Sequence, residues 1–148
     1  MEVESTCFTK SYKLFKGLMR VTVIGMICMR NLMPEIQRDR LIVEGFYGVE
    51  ICEEFLRSFL IGLSEALGMR IIAGPFIFSP DKFSLIHRGL GGFIAWVESG
   101  VAFYSWSDHK FFTMDIYSCK ALNVQVVLDY VKRGLKCSDI VWQKIEYE

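Results

Sequence analysis

The sequence predicts an α+β fold, a two-layer sandwich in which a mainly antiparallel sheet carries helices on one face. Short runs rich in aromatic and β-branched residues recur along the chain and predict several strands. Only two stretches repeat apolar residues at helical spacing. Tight polar turns join neighbouring strands, as in antiparallel sheets. A few helices packed on one side of such a sheet give two layers around one core.

Two strands and a helix are predicted in the first half of the folded domain. Leu41–Phe46 and Met69–Ile77 are strand-like, and Gly74-Pro75 interrupts the second of these runs. Glu50–Leu67 predicts a helix that Gly68 ends. Its apolar stripe recurs every four residues: Ile51, Phe55, Phe59, Leu63 and Leu67. We expect this stripe to pack against the sheet.

A loop and three strands are predicted next. Ser79–Gly92 is rich in turn-forming residues and predicts a loop, and Phe93–Val97 predicts the strand that follows it. Val101–Trp106 and Phe111–Tyr117 are rich in aromatic and β-branched residues and predict the two arms of a hairpin. The polar run Ser107–Lys110 between them predicts its turn.

The chain is predicted to end in a helix and a strand. Asn123 is placed to cap a helix that runs to Lys132 and stops at Gly134. Ile140–Tyr147 alternates apolar with polar residues and predicts the last strand. Because the helices cover one sheet face, the other face is left bare. We expect a second chain to cover it, as a homodimer or as a dimer with a paralogue.

Composition and charge narrow the classes of function. The 148 residues are 52% hydrophobic and carry a formal net charge of zero. Because no basic face is apparent, we expect no nucleic-acid partner, and near-zero net charge favours association. The five cysteines form no CxxC pair, so neither a zinc site nor a disulfide framework is indicated. Free thiols are typical of the reducing cytosol, and we expect a cytoplasmic protein.

Residues 1–38 form an extension ahead of the predicted domain, which spans residues 39–148. Basic residues precede an apolar run over Val21–Met29, a pattern that superficially resembles a secretory signal peptide. The run is too short to span a membrane and no small-residue cleavage site follows it, so we expect neither export nor membrane insertion. Val21–Ile24 is β-branched and predicts an added strand. Alternatively, translation begins at Met33.

The stretch from Glu98 to Cys119 concentrates residues capable of chemistry. The predicted hairpin carries Ser99 at the start of its first arm and Cys119 at the end of its second, so the two residues come out near each other. A serine that follows a glutamate, with a thiol folded back beside it, is a candidate site. By contrast, we expect the loop histidine His87 to be solvated rather than catalytic.

This layout resembles the S-adenosylmethionine decarboxylase proenzymes of the short prokaryotic type. The catalytic cysteine of that family lies twenty residues after its processed serine, and Ser99 and Cys119 have the same spacing. Further matches follow in order along the chain: Leu41-Ile42-Val43-Glu44 with Tyr47-Gly48, Phe78-Ser79-Pro80, Trp106, Asp108, and Asp115-Ile116-Tyr117-Ser118-Cys119. The resemblance covers residues 39–148 and implies the same two-layer arrangement and a dimer.

The resemblance implies a cofactor that the chain makes from itself. The bond between Glu98 and Ser99 is cut by the protein, and Ser99 becomes a pyruvoyl group. Such a ketone accepts the electrons released when an amino acid loses carbon dioxide. Cys119 then returns a proton to the α-carbon as general acid, because a thiol is mostly protonated at neutral pH. No metal is implied.

The resemblance also implies a substrate pocket. Phe78 and Trp106 line it, with an aromatic ring stacked on adenine, while Asp108 holds the ribose hydroxyls and Glu44 faces the sulfonium group. The implied substrate is S-adenosylmethionine, in the synthesis of spermidine and other polyamines. Arginine is the alternative substrate, because related chains have shifted from one to the other.

The sequence departs from the family at the processing site. Tyr104 stands where the family has the histidine that serves self-cleavage, Gly100 replaces a second histidine, and about seven residues are inserted between Pro80 and Gly92. A phenol is a poor base at neutral pH, so Tyr104 is expected to donate a hydrogen bond while His109 or a backbone carbonyl acts as acceptor. Two functions stay open: an active decarboxylase, and a non-catalytic homologue such as a regulatory partner.

Overall fold

A computed structural model describes residues 27–148 as one seven-stranded sheet with two helices. In chain order the elements are β1 (Ile27–Met29), β2 (Asp39–Phe46), α1 (Glu53–Ala66), β3 (Ile71–Phe78), β4 (Gly91–Trp96), β5 (Ser99–Trp106), β6 (Phe111–Ser118), α2 (Val124–Gly134) and β7 (Asp139–Tyr147). The predicted strand at Val21–Ile24 lies outside the described residues.

The sheet has the strand order β1-β7-β2-β6-β5-β4-β3. Every neighbouring pair is antiparallel except β1 and β7, which are parallel. Helix α1 packs on β3 and β4 and against α2. The predicted α+β sandwich with a mainly antiparallel sheet is therefore confirmed. Within residues 27–148, no helix is both long and apolar enough to cross a membrane.

Helix α1 begins three residues after and ends one residue before its predicted bounds, and its predicted stripe packs on the core. Its buried residues are Leu56, Phe59, Leu60, Leu63 and Ser64. Phe59 and Leu63 belong to the predicted stripe, and its other members, Ile51, Phe55 and Leu67, are partly buried against the core. A strict four-residue repeat drifts around a helix with 3.6 residues per turn, so the buried face alternates steps of three and four. Gly68, with φ of 61°, follows the helix end as predicted.

Helix α2 lies where it was predicted. Asn123 caps it as expected, because its side chain accepts a hydrogen bond from the Val126 N–H at 3.2 Å. The helix ends at Gly134, the residue at which the sequence predicted it to stop. A Cβ on Gly134 would lie 2.9 Å from the ring of Phe59. The glycine therefore serves the close packing of the two helices rather than a turn.

Strands β3 and β4 differ in detail from the prediction. Gly74-Pro75 does not break β3; it produces a shift in register against β4 between Ala73 and Phe76. Strand β4 starts at Gly91, one residue before the end of the predicted loop, and Val97 lies in the following turn rather than in the strand. Such bulges and turns depend on the neighbouring strand, which a local pattern does not show.

The sheet has one covered and one open face. On the covered face, Trp96 is 1% exposed and donates from Nε1 to the Ser64 hydroxyl of α1 at 2.8 Å. The opposite face, which we call the open face, carries the alternate residues of each strand and no helix. Its exposed large apolar and aromatic side chains include Phe46, Phe76, Phe78, Phe93, Tyr104, Tyr117 and Val141. A monomer rarely leaves so much contiguous apolar surface in water.

Candidate functional site

The turn between β4 and β5 contains the Glu-Ser pair. Trp96 pairs with Ser99, so Val97 and Glu98 form a two-residue hairpin turn. On its other side Ser99 pairs with Ser118, the residue before Cys119. The hairpin thus brings the backbones of Ser99 and Cys119 together, as the sequence predicted.

The peptide bond between Glu98 and Ser99 is polarised by a backbone donor. The Cys119 N–H donates a hydrogen bond to the Glu98 carbonyl oxygen at 2.8 Å. A nucleophile that attacks this carbonyl carbon would place negative charge on that same oxygen. A fixed N–H aimed at developing negative charge is the arrangement of an oxyanion hole.

Ser99 is held in a strained backbone conformation. Its φ is 137°, a region that residues with a Cβ rarely adopt. Non-glycine residues in such regions carry about 1–3 kcal/mol of strain. The strain lies on the residue whose N–C bond would break in self-cleavage, so breaking that bond would release it.

Replacing Ser99 by glycine is expected to stabilise the chain relative to replacing it by alanine. Both variants lack the hydroxyl, but only glycine adopts this φ without a steric cost, so Ser99→Gly should unfold with about 1 kcal/mol more free energy than Ser99→Ala. Urea denaturation of the two intact chains measures the difference. Ala102→Gly, in the same strand, is the matched control and should instead lose about 0.5–1 kcal/mol. A less stable Ser99→Gly would show that the turn stores no such strain.

A second group of predicted residues lies at the other end of the sheet. The strand register aligns Phe78, Gly91, Tyr104, Thr113 and Glu44 in one row across five strands. Directly paired residues of antiparallel strands project to the same face, so this row lies on the open face. The predicted substrate residues Phe78 and Glu44 are therefore on the same side of the sheet as Tyr104.

Aromatic rings pack along this end of the open face. The rings of Phe78 and Tyr104 meet edge to face with centroids 5.6 Å apart. Gly91 permits this contact, because a Cβ at that position would collide with the Phe78 ring. Trp106 follows in the next row, tilted against Phe111 at 5.6 Å. The predicted pocket residues Phe78 and Trp106 thus share one aromatic cluster.

His87 is exposed, as expected from the sequence, and it also contacts this cluster. Trp106 donates from Nε1 to His87 Nδ1 at 3.1 Å. The predicted ribose-binding residue Asp108 lies in a short 3₁₀ turn directly after β5, exposed at the same end. No sequence signal connects His87 with Trp106, because they are 19 positions apart.

A single chain does not bring the two groups into one site. Tyr104 is five residues along β5 from Ser99, about 17 Å at roughly 3.4 Å per residue. Trp106 and Asp108 lie further along in the same direction, and so does His109. Ser99 and Cys119 therefore lie at the opposite end of the sheet from the aromatic cluster, and the pairing of Ser99 with the buried Trp96 places Ser99 in a row of the covered face. Within residues 27–148, no three His, Cys, Asp or Glu side chains converge as a metal site would require.

The fold and the Glu-Ser turn define a class of small α+β domain with an open-faced antiparallel sheet. The family model for S-adenosylmethionine decarboxylase matches residues 46–147. This chain belongs to that family. It is 28% identical over 111 residues to the S-adenosylmethionine decarboxylase proenzyme of Thermoplasma volcanium, covering 70% of this chain and 79% of that protein.

A solved structure has the same fold. The crystal structure of the adenosylmethionine decarboxylase from Aquifex aeolicus superposes with a TM-score of 0.61 at 20% identity. The match covers 76% of this chain and 91% of the Aquifex chain. Both the family expected from the sequence and its two-layer fold are thus confirmed.

Proposed function

We propose that this protein is a pyruvoyl-dependent S-adenosylmethionine decarboxylase of spermidine synthesis, a cytoplasmic enzyme that cleaves itself between Glu98 and Ser99. The observation that carries the proposal is the combination of strain and polarisation at one bond. Ser99 has a φ of 137°, and the carbonyl of the preceding residue accepts a hydrogen bond from Cys119 N–H. Ser99 pairs with strands on both sides, directly after the two-residue turn at Val97 and Glu98. The backbone strain and the hydrogen bond to the Glu98 carbonyl both arise from this arrangement.

Self-cleavage would begin with attack of the Ser99 hydroxyl oxygen on the Glu98 carbonyl carbon. The C–N bond breaks, the hydroxyl proton passes to the amine nitrogen, and an ester replaces the amide. The Cys119 N–H stabilises the oxyanion on the way. Elimination then breaks the ester, releases the first fragment with a main-chain carboxylate at Glu98, and leaves a dehydroalanine at residue 99. Its hydrolysis takes up a water molecule and releases ammonia, and the keto group remains.

The pyruvoyl group supplies the electron sink for loss of carbon dioxide. The remaining work belongs to side chains of the chain. Cys119, exposed beside the turn, returns a proton to the α-carbon of the product. Phe78 and Trp106 offer ring faces to adenine, while Asp108 and Glu44 offer carboxylates to the ribose hydroxyls and the sulfonium.

A complete site needs two copies of the chain, because its parts lie about 17 Å apart in one copy. Two open faces can stack about 10 Å apart around a two-fold axis that lies between them. If the axis is perpendicular to the strands, it reverses strand direction and places the Ser99 end of one copy over the aromatic cluster of the other. Tyr104 of the second copy then donates its phenol hydrogen bond at the reacting end. We therefore propose a homodimer with two shared sites.

The intact mass of the purified chain tests self-cleavage. The wild-type protein is expected to give two fragments that meet at Glu98 and Ser99, the second with a pyruvoyl group at its first residue. Ser99→Ala, which lacks the nucleophile, should give only the full-length mass. We expect full cleavage in the wild type and none in the variant, because no other group replaces the Ser99 hydroxyl as nucleophile.

A wild-type chain that stays full length after prolonged incubation would contradict the proposal. That result would favour the second candidate function, a non-catalytic homologue that acts as a regulatory partner. The presence of Tyr104 in place of a histidine is the observation that supports this second candidate.

A further inference from the structure

The loop between β3 and β4 exposes three large apolar side chains. Phe83 is 91% exposed, Leu85 is 93% exposed and Ile86 is 77% exposed. Nothing in the described part of the chain covers them. Single exposed apolar residues are ordinary, but three such side chains within four positions mark an interaction surface. We refer to residues 83–86 as the loop tip.

The base of this loop is fixed, so the tip has a defined position. The Gly89 N–H donates to the Asp81 carboxylate at 2.8 Å, and this hydrogen bond lowers the pKa of Asp81. Ser79 Oγ donates to the Gly89 carbonyl at 2.9 Å. The Ser107 N–H donates to the Arg88 carbonyl at 2.8 Å, which ties the loop to the end of β5. The tip therefore projects from the aromatic-cluster end of the sheet.

The opposite end of the same strands carries a second exposed apolar patch. Ile72 on β3 is 65% exposed, and Val97 in the β4–β5 turn is 47% exposed. The Val97 N–H donates to the Arg70 carbonyl at 2.9 Å, which brings the turn beside the start of β3. We call Ile72 and Val97 the turn patch. Val97 directly precedes Glu98 and Ser99 in the chain.

We propose that the loop tip of one copy packs on the turn patch of a second copy and closes the shared site from outside. This inference rests on the proposed two-fold dimer. An axis between the open faces and perpendicular to the strands keeps strand order and reverses strand direction. In both copies, strands β3 to β5 therefore lie over the same strands of the partner but run in the opposite direction. The end of these strands that carries the loop tip in one copy lies over the end that carries the turn patch in the other. The contact is made twice, as an isologous interface requires.

The self-complementary pairing identifies the occupant as a second copy of this chain. The two patches are both apolar, both unpaired within residues 27–148, and lie at opposite ends of the same three strands. Packing the tip on Val97 also shields the adjoining Ser99 turn from bulk water. Exclusion of water strengthens the hydrogen bond to the Glu98 carbonyl.

Photo-crosslinking tests where the tip docks. Leu85 is replaced by benzoylphenylalanine in a Ser99→Ala chain, and ordinary and ¹⁵N-labelled chains are mixed before irradiation. We expect mass spectrometry to find crosslinks from position 85 to residues 70–72 or 97–98 of the other isotopic form. Crosslinks confined to the same chain, to another part of the second copy, or absent altogether would overturn the proposal.

A triple variant measures the contribution of the tip to association. Phe83→Ser with Leu85→Ser and Ile86→Ser, again in the Ser99→Ala chain, is expected to weaken dimerisation about 100-fold in analytical ultracentrifugation. Lys82→Ser, an exposed polar position of the same loop, is the matched control and should leave the dissociation constant within about twofold. An unchanged dissociation constant in the triple variant would refute the packing of the loop tip on the turn patch. Binding of the tip to phospholipid vesicles instead would refute it as well.

These measurements are independent of self-cleavage, because both use the uncleavable chain. If the wild-type chain cleaves but the crosslink is missing, the proposed function stands and only the contact between loop tip and turn patch is refuted. If the crosslink forms in the expected place but the wild-type chain stays uncleaved, the contact stands and the proposed function is refuted.

Discussion

Mixing Trp106→Ala chains with Cys119→Ala chains is expected to restore decarboxylase activity that neither variant has alone. In the proposed shared site, Trp106 belongs to the aromatic cluster, and Cys119 belongs to the Ser99 end of the sheet, about 17 Å or more away. In a shared-site dimer, each site takes its cluster from one copy and its reacting end from the other. A mixed dimer then combines both damaged parts in one site and leaves the other site intact.

The size of the recovery follows from counting sites. Random mixing makes about half of the dimers mixed, and each has one intact site of two, so activity should return to about a quarter of wild type. Each variant alone is expected to lose about 10²–10⁴-fold, as when a proton donor or a substrate-positioning contact is removed. Release of labelled carbon dioxide from S-adenosylmethionine, before and after joint refolding, measures the gain.

A pair of variants from one end provides the control. Phe78→Ala mixed with Trp106→Ala should show no recovery, because both changes damage the same cluster and every mixed site keeps at least one of them. If the mixture of Trp106→Ala and Cys119→Ala also stays inactive, the two ends act within one chain and the shared site is wrong.

The local pattern of the sequence was sufficient for the hairpin that holds the candidate site. The aromatic and β-branched runs on either side of Ser107–Lys110 fold as β5 and β6, and the polar run forms the turn. Once both arms are strands, the pairing of Ser99 with Ser118 follows from their equal distance from the turn. This is why the approach of Ser99 and Cys119 could be predicted without knowledge of the rest of the sheet.

The separation of the site into two ends was implicit in the sequence but not recognised there. A strand that contains both Ser99 and Tyr104 must hold them about 17 Å apart, because strand residues advance roughly 3.4 Å each. The alignment of Glu44 with Phe78 was not predictable in this way. It depends on the pairing of five strands, and non-local pairing leaves no local periodic signal.

The strain at Ser99 also lies beyond a single-sequence pattern. A serine in a strand-like context predicts ordinary extended backbone, whereas the structure has φ of 137°. The two-residue turn at Val97 and Glu98 imposes this value while the strand pairs on both sides fix the neighbouring residues. A glycine at this position would have predicted a turn with positive φ, whereas a serine does not. Local rules fail most often at functional sites, and Ser99 is the candidate for such a site in this chain.

Cys119→Ala is expected to separate self-cleavage from turnover. The variant keeps the backbone N–H that donates to the Glu98 carbonyl at 2.8 Å, so the chain should still divide into two fragments. It lacks the thiol that we propose as the proton donor to the product carbon, so decarboxylation should fall about 10²–10⁴-fold. Intact mass and labelled carbon dioxide release, measured on the same sample, give the two results.

Cys28→Ala supplies the control, because this exposed thiol lies on β1, at the sheet edge beside β7. It should affect neither cleavage nor turnover. Cleavage lost in Cys119→Ala would mean that the thiol, and not the backbone donor, acts on the Glu98 carbonyl. Turnover kept in Cys119→Ala would place the proton donor elsewhere, and Tyr104 of the second copy would be the next residue to replace. Either result would show which of the two roles proposed for Cys119, hydrogen-bond donation by its main-chain N–H and proton donation by its thiol, is wrong.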